Sequence, residues 1–268
     1  MKNRITVLII IAIMLLSAGC SGGRSEYRRL VALEQVLEKN PDSVRSVLYA
    51  MPTPKKERSK ALYTVLKTQA DYKCYEPLES DSLMLEATAY YGTGKKDYYA
   101  ALAYYTLGCL YDENGNDIAA LEAYLKAKNL FPDTLIRYYA LTECLLGLKY
   151  VNSNAYDYAE NHLLCAMNNA DRLNDVHTYC ISRFNYALCL LHRRDFETAE
   201  QYFLEFLDNE AYSEYYRINP LLQLAKIYYL HYKDYDKSLL YVNRFLNLSK
   251  SNNEAGLAAK ANNFYYMA

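Results

Sequence analysis

Twelve residues near the start, Ile5 to Leu16, are almost purely apolar; after them the chain settles into a different rhythm. Large apolar residues recur three and four positions apart over long stretches, with polar residues between, which is the stripe of a helix that buries one face. The pattern predicts helices over Tyr27–Lys39, Asp42–Met51, Lys56–Lys73 and Asp81–Tyr91. Asn40-Pro41 supplies a cap and a first helical residue, and Met51-Pro52-Thr53-Pro54 is a break. From Ala101 onward the stripes come in pairs separated by short polar turns such as Asn114-Gly115-Asn116-Asp117. A further stripe, Leu257, Ala261, Phe264 and Tyr265, lies in a last expected helix at Glu254–Ala268. That helix has no partner after it, so it is expected to cap the array, to mediate self-association, or to mark a chain that continues in a longer protein.

The pairs repeat. In the unit Ala101–Pro132, counting Gly108 as position 8 places Tyr104 at 4, Leu107 at 7, Tyr111 at 11, Ala120 at 20, Tyr124 at 24, Ala127 at 27 and Pro132 at 32. Leu146-Gly147 and Tyr150, then Ala159, Leu163 and Ala166, follow at the same internal spacing. Tyr186-Ala187 and Leu190, then Ala199 and Phe203, form a third copy. Leu224-Ala225 and Tyr228, then Asp234-Tyr235 and Ser238, form a fourth with one extra residue, which is expected in its turn. The small residues at 8 and 20 read as points where two helices touch, and the large ones as fillers between helices. This arrangement resembles the tetratricopeptide repeat (TPR), with Tyr standing for the family's Trp and Phe. The resemblance implies an all-α fold: a right-handed solenoid of antiparallel helix pairs. It is clear over 101–245 and weaker upstream. The expected organisation is therefore degenerate helical repeats over 27–100 and TPR-like repeats over 101–268.

The apolar run near the start has its own meaning. It follows the positive Met1-Lys2-Asn3-Arg4, is too short to span a bilayer, and leads into Ser17-Ala18-Gly19-Cys20. This resembles the lipobox of bacterial lipoproteins, although the family's usual Leu three before the Cys is Ser17 here. It implies a cleaved signal peptide at 1–19, acylation of Cys20, a flexible tether over 20–26, and anchorage to the cell envelope by lipid, at the outer rather than the inner membrane. Lipoproteins with Tyr-rich TPR arrays resemble those abundant in Bacteroidetes.

Composition narrows the function. Tyr is abundant, with 31 copies against 7 Phe and no Trp, and the formal charge of −1 leaves no basic excess for nucleic acid. The pairs His162/Cys165, His177/Cys180 and Cys189/His192 stand three residues apart but on different helices, so the cysteines read as small apolar fillers and no metal or cofactor is expected. Gly92-Thr93-Gly94-Lys95-Lys96 lacks the spacing of a phosphate loop and reads as a turn. Asp42-Ser43-Val44, Asp81-Ser82-Leu83 and Asp133-Thr134-Leu135 look like short O-glycosylation acceptors and are better read as helix caps. No catalytic residue stands out.

By the resemblance, positions 2, 5, 9, 12 and 13 of each first helix line a binding groove. Carried over, these give Tyr105, Cys109 and Asp112 in the first clear repeat, and Phe184, Leu188 and His192 in the third. The basic set with which chaperone-binding TPRs clamp a carboxylate is absent. An apolar, aromatic groove suits a helical or extended peptide, or the chain's own N-terminal helices folded back. The expected role is a membrane-anchored, non-enzymatic scaffold for a protein or peptide partner. The alternatives are the sensor part of a signalling protein without its output domain and a glycan-capture lipoprotein, the latter disfavoured by the lack of Trp.

Overall fold

The computed structural model describes residues 23–251, apart from 79, 93, 94, 134, 210 and 211. The signal segment, Cys20 and the expected helix at Glu254–Ala268 lie outside the described residues, as do Thr93, Gly94 and Thr134. Among the described residues there are twelve α-helices and no strand. They are α1 Gly23–Leu37, α2 Pro41–Ala50, α3 Glu57–Lys73, α4 Ser82–Tyr91, α5 Tyr98–Glu113 and α6 Asp117–Leu130. Then come α7 Arg137–Asn152, α8 Tyr156–Arg172, α9 Val176–His192, α10 Phe196–Asp208, α11 Glu214–Ile227 and α12 Tyr235–Ser251. Helix α1 begins at Gly23, inside the segment expected to be a tether. The chain divides into two compact units that meet between Thr142 and Glu143, inside α7, rather than at the 100/101 boundary where the repeat signature becomes clear.

Three-residue turns join α5 to α6, α7 to α8 and α9 to α10, which makes each of these pairs antiparallel. One turn is used throughout. Gly115, Asn154, Arg194 and Lys233 each adopt a left-handed conformation, at φ 71°, 59°, 64° and 57°. The following amide reaches back across the helix end: Asn116 to the Tyr111 carbonyl at 2.8 Å, Ala155 to Tyr150 at 2.8 Å, Asp195 to Leu190 at 3.0 Å. This is the Schellman closure, which satisfies carbonyls orphaned at the helix end. Side chains then cap the next helix: Asn116 accepts from the Ala119 amide, Asp195 from Thr198 and Asp234 from Lys237.

The register read from the sequence holds where helices touch. A β-carbon on Gly108 would lie 2.4 Å from the Tyr124 ring, and one on Gly147 would lie 2.5 Å from the Leu163 side chain. Positions 8 and 24 of a repeat thus face each other at a distance only hydrogen on one side allows. Ala120, Tyr124, Ala127, Ala159, Leu163, Ala166, Ala187, Ala199 and Phe203 are all fully buried. In the fourth repeat Ser238 replaces the alanine, and its hydroxyl donates to the Ala225 carbonyl at 2.9 Å across the same close approach.

The extra residue of that repeat is not in the turn, as the sequence led us to expect. Lys233 lies five residues before Ser238, as Gly115 does before Ala120. The insertion sits upstream, as a π-helical segment Tyr228–Tyr232 that continues α11. Accordingly the Asp234 amide reaches the Tyr228 carbonyl, six residues back instead of five. A π-turn absorbs one residue without moving the helix end, because it widens a single loop of the ladder.

The turn also gives the register of a pair whose signature is degenerate in the sequence. Tyr75 has φ 57°, the Glu76 amide bonds the Asp71 carbonyl at 3.0 Å, and the Tyr75 amide bonds Tyr72 at 3.2 Å, as Asn116 does Tyr111 and Gly115 does Asp112. Helices α3 and α4 are therefore a pair in the same register, 40 residues before the first clear one. Thr68 stands where Gly108 does, Ser80 where Ala120 does and Met84 where Tyr124 does.

Candidate interaction surfaces on the first helices

The expected groove residues divide between the two units, and the units treat them differently. In the first unit they are not open. Tyr105 and Cys109 of α5 are 5% and 2% exposed, covered by the chain itself. The Tyr105 ring packs on Tyr138 of α7 at 5.1 Å and on Tyr124 of α6 at 6.2 Å. Burial pushes the Cys109 thiol up to about 12, so it is an inert, protonated filler. Asp112 spends its carboxylate inside the pair, accepting from the Tyr124 hydroxyl at 2.7 Å. Tyr105 and Cys109 build the helix packing and do not line a free surface, and Asp112, partly exposed, is engaged within the pair.

A polar network links the N-terminal segment to the helices around this region. Glu34 on α1 and Glu38, the residue just past its end, reach three other helices. Glu34 accepts from the Tyr98 hydroxyl of α5 at 2.5 Å. Glu38 pairs with Lys73 of α3 at 2.5 Å and with Arg137 of α7, and accepts from Tyr138 at 2.8 Å. Behind them Gln69 donates to Thr106 at 2.8 Å and meets the Tyr138 hydroxyl at 3.2 Å. Burial raises the Glu38 carboxyl, but Lys73 and Arg137 outweigh it and hold the group below the ordinary carboxylate range. Glu34 has no such cation: burial and the charge of Glu38 raise it, against the hydrogen bond from Tyr98. These bonds tie the chain's own N-terminal segment to the first turns of α5 and α7 and to the end of α3. Two carboxylates at i and i+4 were the available signal, but nothing in the sequence names partners 35 to 100 residues away.

In the second unit the expected residues stay nearer to solvent. Phe184 and Leu188 of α9 are half-buried and, with Leu191, flank a core built on Ala187, Phe203, Leu221 and Phe245. Phe184 meets the Phe203 ring at 5.6 Å. His192 is exposed, and one face of its imidazole stacks on Tyr156 at 3.8 Å.

The structure also assigns roles to residues at position 4, the Trp position of the family pattern. Glu143, 1% exposed, meets His162 Nδ1 at 2.5 Å, and the imidazole lies flat on Tyr150. Arg183 bonds Glu205 and donates to the Tyr179 hydroxyl at 2.8 Å, with its guanidinium over the Tyr202 ring at 4.4 Å. In both repeats a polar side-chain pair between first and second helix fills the space of an aromatic ring. His162 is thus committed to Glu143 rather than to Cys165, and His177 bonds the Tyr216 hydroxyl at 2.8 Å rather than Cys180. Among the described residues no group of three or more His, Cys, Asp or Glu converges as a metal site would require. Among the described residues no disulfide forms, and burial raises the thiols of Cys144 and Cys180 to about 11 and of Cys189 to about 12.

No protein-family model matches the chain, and no curated protein matches it. Solved structures do. The crystal structure of BtubC (BKLC) from P. vanneervenii is similar with a TM-score of 0.59 and 17% identity, over 86% of this chain and 93% of that one. PilF of Pseudomonas aeruginosa is similar with a TM-score of 0.59 and 18% identity, over 89% of this chain and 98% of that one. At this identity the likeness concerns the fold alone. With the repeat geometry above, it supports an all-helical, TPR-like fold.

Proposed function

We propose that the protein is a non-enzymatic interaction scaffold, held at the cell envelope by acylation of Cys20, that binds a protein or peptide segment on the first helices of its second unit. The observation that carries this reading is the stripe Phe184, Leu188 and Leu191 on α9, apolar and only partly buried, at the spacing of one helix face. The equivalent stripe in the first unit is consumed by internal packing, which leaves α9 as the better binding face. TPR-like folds generally mediate protein interactions, and a stripe of this kind suits a partner presenting apolar side chains.

A photo-crosslinking residue at Leu188, compared with one at the exposed Glu122, tests the reading in cells. We expect a discrete adduct from position 188 only, lost on Phe184→Asp in a chain that remains folded. Equal adducts from both positions, or none, would overturn it. The anchor is tested separately: Cys20→Ala should shift the protein from the membrane to the soluble envelope fraction, and an unmodified Cys20 in the mature protein would remove that part of the proposal.

A further inference from the structure

In the clear repeats six signature positions fill the space between first and second helix: Tyr104, Leu107, Gly108, Tyr111, Ala120 and Tyr124. In the degenerate repeat of α3 and α4 the same positions hold Thr64, Lys67, Thr68, Asp71, Ser80 and Met84. All six line one cavity of about 140 Å³. The cavity has a structural cause. The second helix of this pair starts seven residues after Tyr75, whereas α6 starts two residues after Gly115, so the first turn of the second helix is replaced by irregular chain. Helices α2 and α4 are also only ten residues long. The layer that would cover α3 is incomplete.

The chemistry of the walls is two-sided. Leu78, Leu83, Met84 and Leu110 form one side. On the other, Thr64, Lys67 and Thr68 share a face of α3. The charges around them are unevenly matched. Asp71 is satisfied by Arg45 at 2.7 Å and by the Tyr49 hydroxyl at 2.9 Å, and Lys60 pairs with Glu86 at 2.9 Å. Lys67 has no carboxylate partner among the described residues; its ammonium rests over the Tyr49 ring at 4.4 Å. The hydroxyls differ from their counterparts too. Thr88, Thr106 and Thr142 each donate to a carbonyl one turn back in their helix, the usual resource of a helical threonine. Thr64 and Thr68 make no such bond.

We propose that this cavity binds a short aliphatic carboxylate, its charge on Lys67 and the two threonine hydroxyls and its chain along the leucine wall. A cavity near 150 Å³ holds about six non-hydrogen atoms, which matches butyrate and leaves hexanoate to extend toward the open side. The ligand source is a free acid or the terminal carboxylate of a peptide ending in an apolar residue. The site is independent of the α9 stripe.

The test is titration of methyl-labelled protein with hexanoate, hexanol and hexylamine, and with acetyl-Ala-Ala-Leu as acid and as amide, read at Leu83 and Met84. We expect saturable shifts with hexanoate at ~0.1–1 mM, the range open to so small a ligand, and at least tenfold weaker binding of hexanol and hexylamine. Lys67→Met, which keeps the apolar stem, should weaken hexanoate at least tenfold without changing the helical spectrum, and Lys67→Arg should restore part of it. Tighter binding of the peptide acid than of hexanoate identifies a chain terminus as the source; the reverse identifies a free acid. Equal binding of hexanol and hexanoate, an unaffected Lys67→Met variant, or no saturation by either acid up to ~10 mM would overturn the proposal.

Discussion

Two neighbouring helix pairs, α3/α4 and α5/α6, share one backbone plan and differ in what stands between the helices. In α5/α6 the space is closed: Gly108 and Ala120 let the helices meet, and the Tyr124 ring lies where a β-carbon on Gly108 would be. In α3/α4 the same turn, with Tyr75 in the place of Gly115, brings the same positions opposite one another, yet they are hydroxyls, an ammonium and a methionine around a cavity. The backbone of a repeat therefore does not depend on its signature. A hydrogen-bonded turn and neighbouring helices suffice to hold a pair in place, and the signature decides whether its interior is packed or available.

The comparison makes expectations of decreasing size. The largest concerns register. Deleting Val151, near the end of α7, should cost more than ~3 kcal/mol, because every core residue downstream must rotate off its partner. Deleting Leu230 from the π-helical segment should cost at most ~1 kcal/mol, since it restores the spacing of the other repeats. Denaturant midpoints of the two variants check this, and similar losses would show that the π-turn is not a buffer for the insertion.

Close packing comes next. Gly108→Leu should destabilise by ~3 kcal/mol, and Ala120→Leu by ~1–3 kcal/mol, through overpacking against α6 and α5 respectively. The equivalent Thr68→Leu in the open pair should cost under ~1 kcal/mol, because its side chain enters a cavity. Urea unfolding of the three variants decides the matter. A Thr68→Leu loss as large as that of Gly108→Leu would mean that the cavity is closed in solution.

The contacts of α1 are smaller and depend on pH. Glu38→Gln should cost ~1–2 kcal/mol, discounted for partial exposure of the Glu38, Lys73 and Arg137 side chains. The folded-state pKa of Glu38 is lowered, so its contribution is present above the unfolded value, about 4.3, and is lost as pH falls below it. Glu34 has the opposite sign. Its folded pKa is raised, so its ionisation costs stability as pH rises past the unfolded value. Glu34→Gln, which can still accept from Tyr98, should thus gain stability at neutral pH and none at pH 3. Stability of each variant against pH from 3 to 7 separates the two, and parallel curves would contradict the assignment.

The smallest effect is in the turns. Arg194 and Lys233 occupy the left-handed position that Gly115 takes elsewhere. Arg194→Gly should relieve strain of ~1 kcal/mol against a loss of chain entropy, for a net gain of up to ~0.5 kcal/mol. Thermal midpoints measure it, and a clear loss would show that the Arg193–Arg194 turn is held by its side chains.

Helix type, pairing and register over 101–245 were legible in the sequence because they rest on local spacing. A small residue at 108 and another at 120 face each other in any helix pair of that turn length, and the turn itself is written in Asn114-Gly115-Asn116. The pair α3/α4 was legible only as a degenerate repeat without a register, because the signature reports packed interiors and this interior is open; the φ of Tyr75 and the bond from Glu76 to Asp71 supply the register. The location of the inserted residue was undecided for a related reason. A sequence counts residues between landmarks, while the choice between a longer turn and a wider helical loop depends on whether Tyr228 and Tyr232 can both reach Glu200 of α10, as they do. Groove residues were misjudged at Tyr105 and Cys109 because periodicity names a face of a helix and not what lies against it. The burial of Tyr105 and Cys109, like the bonds of Glu34 and Glu38, comes from partners far along the chain, and contacts at such separation are set by the tertiary fold, where charge and hydroxyl groups meet only after the helices have packed.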